Sequence, residues 1–124
     1  RKDMNGMVDK ILSFAEIERF SDAKLETLSS GMRTRLAFAI AIQSVAPILI
    51  ADEVLAVGDN VFKEKCRNVF RKFKEEGKTI LLVSHDMGSI KEFCDRALVI
   101  NKGELIGEGK PEEMIDFYQK RIML

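Results

Sequence analysis

The stretch ILIADE, residues 48 to 53, decides how the rest of the chain reads. Four consecutive apolar residues, Ile48 to Ala51, follow Pro47 and form a short continuous run of the kind seen in strands buried on both faces. Two carboxylates, Asp52 and Glu53, come directly after it. Open α/β sheets place their ligand chemistry at the carboxyl ends of such strands. Two adjacent acids there can divide labour, one holding Mg2+ through water and the other polarising an attacking water. Taken alone, the pair suits a solvated turn equally well.

Working outward, the alternation continues. Upstream, Met4, Met7, Val8, Ile11, Leu12, Ala15 and Ile17 recur at three- to four-residue spacing, which predicts an amphipathic helix ending near Phe20. Leu36 to Val45 is rich in Ala and Ile and apolar on most faces, so it reads as a buried helix. Downstream, Asp59 can N-cap a helix in which Val61, Phe62, Cys66, Val69, Phe70 and Phe73 form one stripe and Gly77 closes the C-terminus. TILLVSH, 79 to 85, is a second buried strand, and DMGSIKEFC a short helix. RALVI and ELIGEG flank Asn101-Lys102-Gly103, a three-residue hairpin loop with Gly where a positive φ is wanted. PEEMIDFYQKRI has Pro111 and acids in a first helical turn and basic residues in the last. Doubly buried strands alternating with helices predict an α/β fold on a parallel sheet.

The bulk numbers agree with one small domain. The chain has 124 residues, 46% hydrophobic and 32% charged, and its 20 basic and 20 acidic residues cancel. That balance predicts neither a nucleic-acid footprint nor an anionic membrane surface. No apolar run approaches the ~20 residues of a membrane span, and no signal-peptide core opens the chain. Cys66 and Cys94 lack CxxC spacing and read as buried, reduced thiols.

Two further positions carry chemistry. TLSSGM, 27 to 32, places Ser29, Ser30 and Gly31 at a helix start, where hydroxyls, backbone N–H groups and the helix dipole favour an anion; an ordinary N-cap would use the same residues. His85, the only histidine, lies just past a buried strand, where it could contact a phosphate or be merely structural. The order of these features is more specific than any one of them: Ser-Ser-Gly at a helix start, a helix, a strand ending in Asp-Glu, then AVGD, then a strand ending in Ser-His-Asp.

In that order the chain resembles the second half of an ATP-binding-cassette (ABC) ATPase domain, from Asp3 to Tyr118. LSSGM resembles the signature motif, usually LSGGQ, with Ser30 for the first Gly and Met32 for Gln. ILIADE resembles Walker B with its catalytic glutamate, AVGD the D-loop, and LLVSHD the switch histidine. SSGMRTRLAFAIAI, DEVLAVGD and CDRALVINKGELIGEG look like the polysaccharide-exporter branch, which moves O-antigen, capsule or teichoic acid.

The resemblance implies a partial P-loop NTPase fold: a mostly parallel sheet with a terminal hairpin and without the P-loop strand. It divides the single partial domain into part of a helical signature subdomain, 1–46, and part of the catalytic core, 47–124. It implies Glu53 and His85 as catalytic residues. Asp52 would serve Mg2+ through water. Ser29, Ser30, Gly31 and Met32 would contact ATP held by a second ATPase domain, and Asp59 would link the two sites. The implied partners are that second domain, in a head-to-tail homodimer, and a transmembrane permease, through which alone the protein would meet the membrane, at the cytoplasmic face.

Nothing in the chain matches GxxxxGK(S/T); GKT at 77 to 79 follows an apolar helix and reads as its C-cap. The polypeptide by itself is therefore expected neither to bind ATP tightly nor to hydrolyse it. In the family's sheet the P-loop strand lies between strands near 79–84 and 96–100, so either a rearranged sheet or a dimer closing the gap is expected, and a monodisperse monomer with an open gap would contradict this. A stand-alone module showing a signature face to another ATPase, or a piece of a non-transport ABC ATPase, are the alternatives. The latter usually carries coiled-coil insertions and basic surfaces, which this neutral chain lacks.

Overall fold

The computed structural model describes residues 2–43, 46–53, 55 and 58–122, with side chains from Gly6 onward. Five helices and four strands are described: α1 (Lys2–Ala15), α2 (Ser30–Ile42), β1 (Ile48–Asp52), α3 (Asn60–Glu75), β2 (Thr79–Val83), α4 (Met87–Phe93), β3 (Ala97–Asn101), β4 (Glu104–Gly109) and α5 (Pro111–Arg121). Short 3-10 turns occupy Glu18–Phe20 and Leu25–Thr27. The Met4 side chain of the predicted stripe, the extension of the second helix to Val45, and Ala56 and Val57 of AVGD lie outside the described residues. The chain forms two compact units, Arg1–Pro47 with Ala56–Val69, and Ile48–Leu55 with Phe70–Leu124.

In the first unit α1 packs on α2. Ala15, Ile17, Leu28 and Ala39 form a buried cluster, with Ile11, Leu12, Phe14, Met32 and Leu36 packed around it. Phe14, Phe38 and Phe62 meet as a trio, Phe62 edge-on to the other two at 5.7 and 6.4 Å between ring centroids. Helix α1 stops at Ala15, earlier than the apolar spacing predicts. Glu16 takes a left-handed φ of 62°, its N–H donates to Ser13 O, and the Ile17 N–H reaches back to Leu12 O. This is a Schellman closure built on a non-glycine residue, so Ile17 continues the apolar stripe by folding back against Leu12 instead of extending the helix. The last carbonyls of α1 are taken by cations, Phe14 O by Lys65 Nζ at 2.7 Å and Ala15 O by Arg35 Nε at 3.0 Å, as the negative end of a helix dipole favours.

A non-glycine residue in the left-handed region is strained. Glu16→Gly relieves that strain and gives up only a half-exposed 3.7 Å ion pair with Lys65, worth little in water. The variant is expected to gain about 0.5 kcal/mol, read as a raised urea midpoint at constant m-value.

In the second unit β1 and β2 pair in parallel, Ile48 opposite Thr79 through Asp52 opposite Val83. β3 and β4 form an antiparallel hairpin, and the two pairs are separate two-stranded sheets. Asn101 belongs to β3 and faces Glu104. The loop is therefore Lys102-Gly103, one residue shorter than the sequence suggests, with φ of 51° and 79°; two positive values match the twist of a tight hairpin. Helix α5, with Pro111 buried at its first position, packs on β3 and β4. Met114 and Phe117 sit against Gly107, where an added Cβ would meet Met114 Sδ at 3.1 Å.

The expectation of strands buried on both faces fails. Ile48, Ile50, Leu81 and Val83 are 51–69% exposed, and the registers put all four on one face of the β1–β2 pair. Leu98 and Ile100 of β3 are similarly exposed. TILLVSH forms a strand only to Val83, because Ser84 and His85 enter the turn that starts α4. The second helix is likewise not buried all round: Phe38 and Ala39 are buried, while Ile40 is half exposed. In α3 the stripe is Phe62, Cys66, Phe70 and Phe73; Val61 faces solvent. Continuous apolar sequence marks surface suited to cover on every side, and these residues cover only one side of each element. Burial pushes the Cys66 thiol up to about 12 despite Lys65 nearby, and raises Cys94 as well; both cysteines are free thiols.

Candidate active site

The start of α2 is set by its own sequence. Ser29 is extended, and its Oγ accepts the Met32 N–H at 3.1 Å, so Ser29 is the N-cap. Ser30, Gly31 and Arg33 lie at the solvent surface while Met32 turns in against the core, with Thr34 Oγ1 donating to Ser30 O. The approach to this start is clipped by Arg33, whose Nε donates to Leu25 O at 3.1 Å and Nη2 to Glu26 O at 3.0 Å. The result is an exposed helix N-terminus held by the helix that follows it, with a positive dipole end directed outward. Above Gly31 there is space: an added Cβ would meet only Ser29 Oγ, at 4.0 Å.

Asp59 caps α3, its Oδ1 accepting the Phe62 N–H at 2.8 Å. Gly58, at φ 87°, precedes it against the Phe62 ring, where a Cβ would clash at 2.9 Å.

In the second unit two predicted residues come together. The Asp52–Val83 register ends the β1–β2 ladder. The Glu53 N–H then donates to Val83 O at 2.8 Å, which carries Glu53 past the strand end at a left-handed φ of 57°. His85 is two residues beyond Val83, and its Nε2 lies 3.5 Å from Glu53 Oε1. The imidazole is 86% exposed and the carboxylate side chain 40%. A carboxylate and a histidine thus stand side by side at the carboxyl ends of adjacent parallel strands, the position where sheets of this class bind ligands. Asp52 is exposed at the same end.

Among the described residues no group of three or more His, Cys, Asp or Glu side chains converges on one point. Asp52 and Glu53 supply one or two carboxylates, the donor set on which Mg2+ usually rests when waters and substrate phosphates complete its octahedron. The oxygen chemistry fits that ion.

The structure gives contacts to three residues that the sequence reading left without a role, Ser84, Asp86 and Ser89. Ser84 Oγ accepts the Asp86 N–H at 3.0 Å, Asp86 Oδ1 accepts the Gly88 N–H at 3.1 Å, and Ser89 Oγ donates to Asp86 Oδ2. An Asp one residue ahead of a helix is an N-cap signal that the sequence contains.

The chain is similar to known proteins in sequence and in fold. Residues 2–56 match the ABC transporter family. The teichoic acids export ATP-binding protein TagH of Lactococcus lactis is 45% identical over 119 residues, 96% of this chain and 26% of that protein. The O-antigen export system ATP-binding protein RfbB of Myxococcus xanthus is 42% identical over 124 residues, all of this chain and 28% of that protein. The dimeric structure of the ATP-binding cassette MJ0796 bound to ADP and Pi superposes with a TM-score of 0.74 at 30% identity, covering 89% of this chain and 48% of that one. The chain spans less than half the length of each of these proteins. In sequence and in fold the chain is similar to part of an ABC transporter ATPase cassette.

Proposed function

We propose that this chain is the signature and Walker B portion of an ATPase that powers export of a cell-surface polysaccharide of the teichoic acid or O-antigen type, and that it works as one half of a head-to-tail homodimer. The observation that carries the reading is the Glu53–His85 pair at the ends of β1 and β2. Glu53 accepts the proton of the water that attacks the γ-phosphate. His85 hydrogen-bonds the γ-phosphate and keeps that water in line. Asp52 would hold Mg2+ through water, and the ion when bound would supply charge neutralisation at the phosphates. The start of α2, at Ser29, Ser30, Gly31 and Met32, presents N–H groups and hydroxyls to the γ-phosphate of ATP held by the second copy. The Met32 N–H is given to Ser29 Oγ, so Met32 acts by orienting the Ser29 hydroxyl. Asp59 links the two sites across the dimer.

Phosphoryl transfer of this kind is positioning plus charge stabilisation, so the two halves of each site must meet accurately. The substrate glycan is selected elsewhere in the system, by a transmembrane permease or an added carbohydrate-binding domain. The protein is placed at the cytoplasmic face of the membrane through the permease; among the described residues no helix is long and apolar enough to cross a bilayer. Residues 1–46 belong to the signature subdomain and 47–124 to the catalytic core.

A Mg-ATP hydrolysis assay on the purified chain, beside Glu53→Gln, tests the division of labour. No turnover above the variant is expected, since the sequence has no GxxxxGK(S/T). Turnover that disappears in Glu53→Gln would show a nucleotide grip within these residues and refute the assignment as a partial site.

A further inference from the structure

The imidazole of His85 is almost fully exposed, and an exposed side chain on a turn has many rotamers available. Its closeness to Glu53 therefore needs a cause in the backbone that presents it. That cause is visible on both sides of the residue. Before it, Ser84 Oγ accepts the Asp86 N–H and closes the turn across His85. After it, the Asp86 carboxylate uses both oxygens: Oδ1 caps α4 at Gly88, and Oδ2 receives the Ser89 hydroxyl. Asp86 O also accepts the Ile90 N–H at 3.2 Å. Ser89 has no exposed surface at all, so this anchor is fixed inside the unit whereas the ring it serves is in solvent. A fully buried hydroxyl satisfied by a carboxylate is costly to disturb and hence a rigid reference point.

We propose that Asp86 and Ser89 are positioning residues: with Ser84 they lock the turn at the end of β2 so that His85 Nε2 is held towards Glu53 Oε1. Neither touches the reacting groups; both act through the His85 backbone. The proposal rests on the reading that His85 and Glu53 work as a pair, and its test reads geometry instead of turnover, so the two can fail separately.

His85 is the only histidine, so the chain labelled with 13C-histidine gives a single Cε1–Hε1 cross-peak. In the native background Glu53→Gln is expected to displace that peak, because it removes the charge beside the ring. In Ser89→Ala and in Asp86→Ala the same substitution is expected to displace it roughly fivefold less, the factor that one net hydrogen bond carries in a population. Asp86→Asn, which keeps an oxygen for the Gly88 N–H, is expected to restore part of the response. Thermal midpoints are recorded alongside. A purely structural role would lower the midpoints and leave the displacement unchanged in folded protein, and that result overturns the proposal. Should Asp86→Ala not fold, Ser89→Ala, which removes one hydroxyl, decides alone. No displacement in the native background overturns the pairing itself and this proposal with it.

Discussion

Glu53→Gln is expected to lower kcat about a thousandfold in a completed cassette, while KM for ATP stays within about a factor of two. The completed cassette is a chimera in which these residues replace the 119 matched residues of the Lactococcus lactis relative. The size of the effect follows from what the substitution removes. Gln keeps the length and shape of Glu53 and its amide can still sit 3.5 Å from His85, but it cannot take a proton from water. Positioned general bases contribute about a hundredfold to ten-thousandfold. Because the carboxylate would touch the water and not the nucleotide, ground-state binding is preserved. The left-handed backbone at Glu53 is equally strained with Gln, so stability should not confound the result. Steady-state kinetics checks both numbers; an equal loss in KM would mean that Glu53 binds nucleotide instead of activating water.

Phe62→Ala is expected to cost about 3–5 kcal/mol. Phe62 is 1% exposed and stands edge-on to Phe14 and Phe38, with the Arg35 guanidinium 5.8 Å from its ring centre. Truncation loses the transfer energy of the ring, leaves a cavity, and removes two aromatic contacts at once. Against a total stability of ~5–15 kcal/mol for a small domain, this alone would bring the protein close to its unfolding threshold. Val61, the preceding residue, is 71% exposed, and Val61→Ala should stay within about 0.5 kcal/mol. Urea titrations of the pair measure the contrast.

The sequence shows the order of elements clearly, because strands and helices announce themselves by run length and by caps. Asp59, Gly77 and Pro111 each stand where the caps were expected. Burial was less legible. ILIA and TILLV read as strands covered on both faces, yet every other residue of each is exposed. Composition records the cover a segment is suited to, not the cover these 124 residues provide. The end of α1 was misplaced for another reason: Ile17 keeps the helical spacing, and only the left-handed backbone at Glu16, which no residue type there advertises, turns the chain back.

For the site, Asp52, Glu53 and His85 are identifiable because each lies within two residues of the end of an apolar run. That Glu53 and His85 meet depends on the Asp52–Val83 register and the Glu53-to-Val83 hydrogen bond, long-range facts that spacing along the chain does not contain. Ser29 illustrates the opposite case. Both of its sequence readings, N-cap and phosphate contact, use the same helix start, and the cap is formed while Ser30 and Gly31 remain at the surface.

The central claim is that this helix start completes a nucleotide site on another copy of the protein. It is tested most directly by mixing two inactive forms of the chimera. One has its P-loop lysine, in the relative's portion, changed to alanine. The other carries Gly31→Asp, which sets a carboxylate where the γ-phosphate would lie; there is room for it, and an acid at a helix start does not harm folding. If the signature acts across the dimer, each mixed dimer has one intact site. The equimolar mixture should then recover about one quarter of native ATPase activity, half the dimers being mixed and half their sites intact. If the signature served the nucleotide of its own chain, every site would lack one component, and a mixture as inactive as its parts would contradict the account.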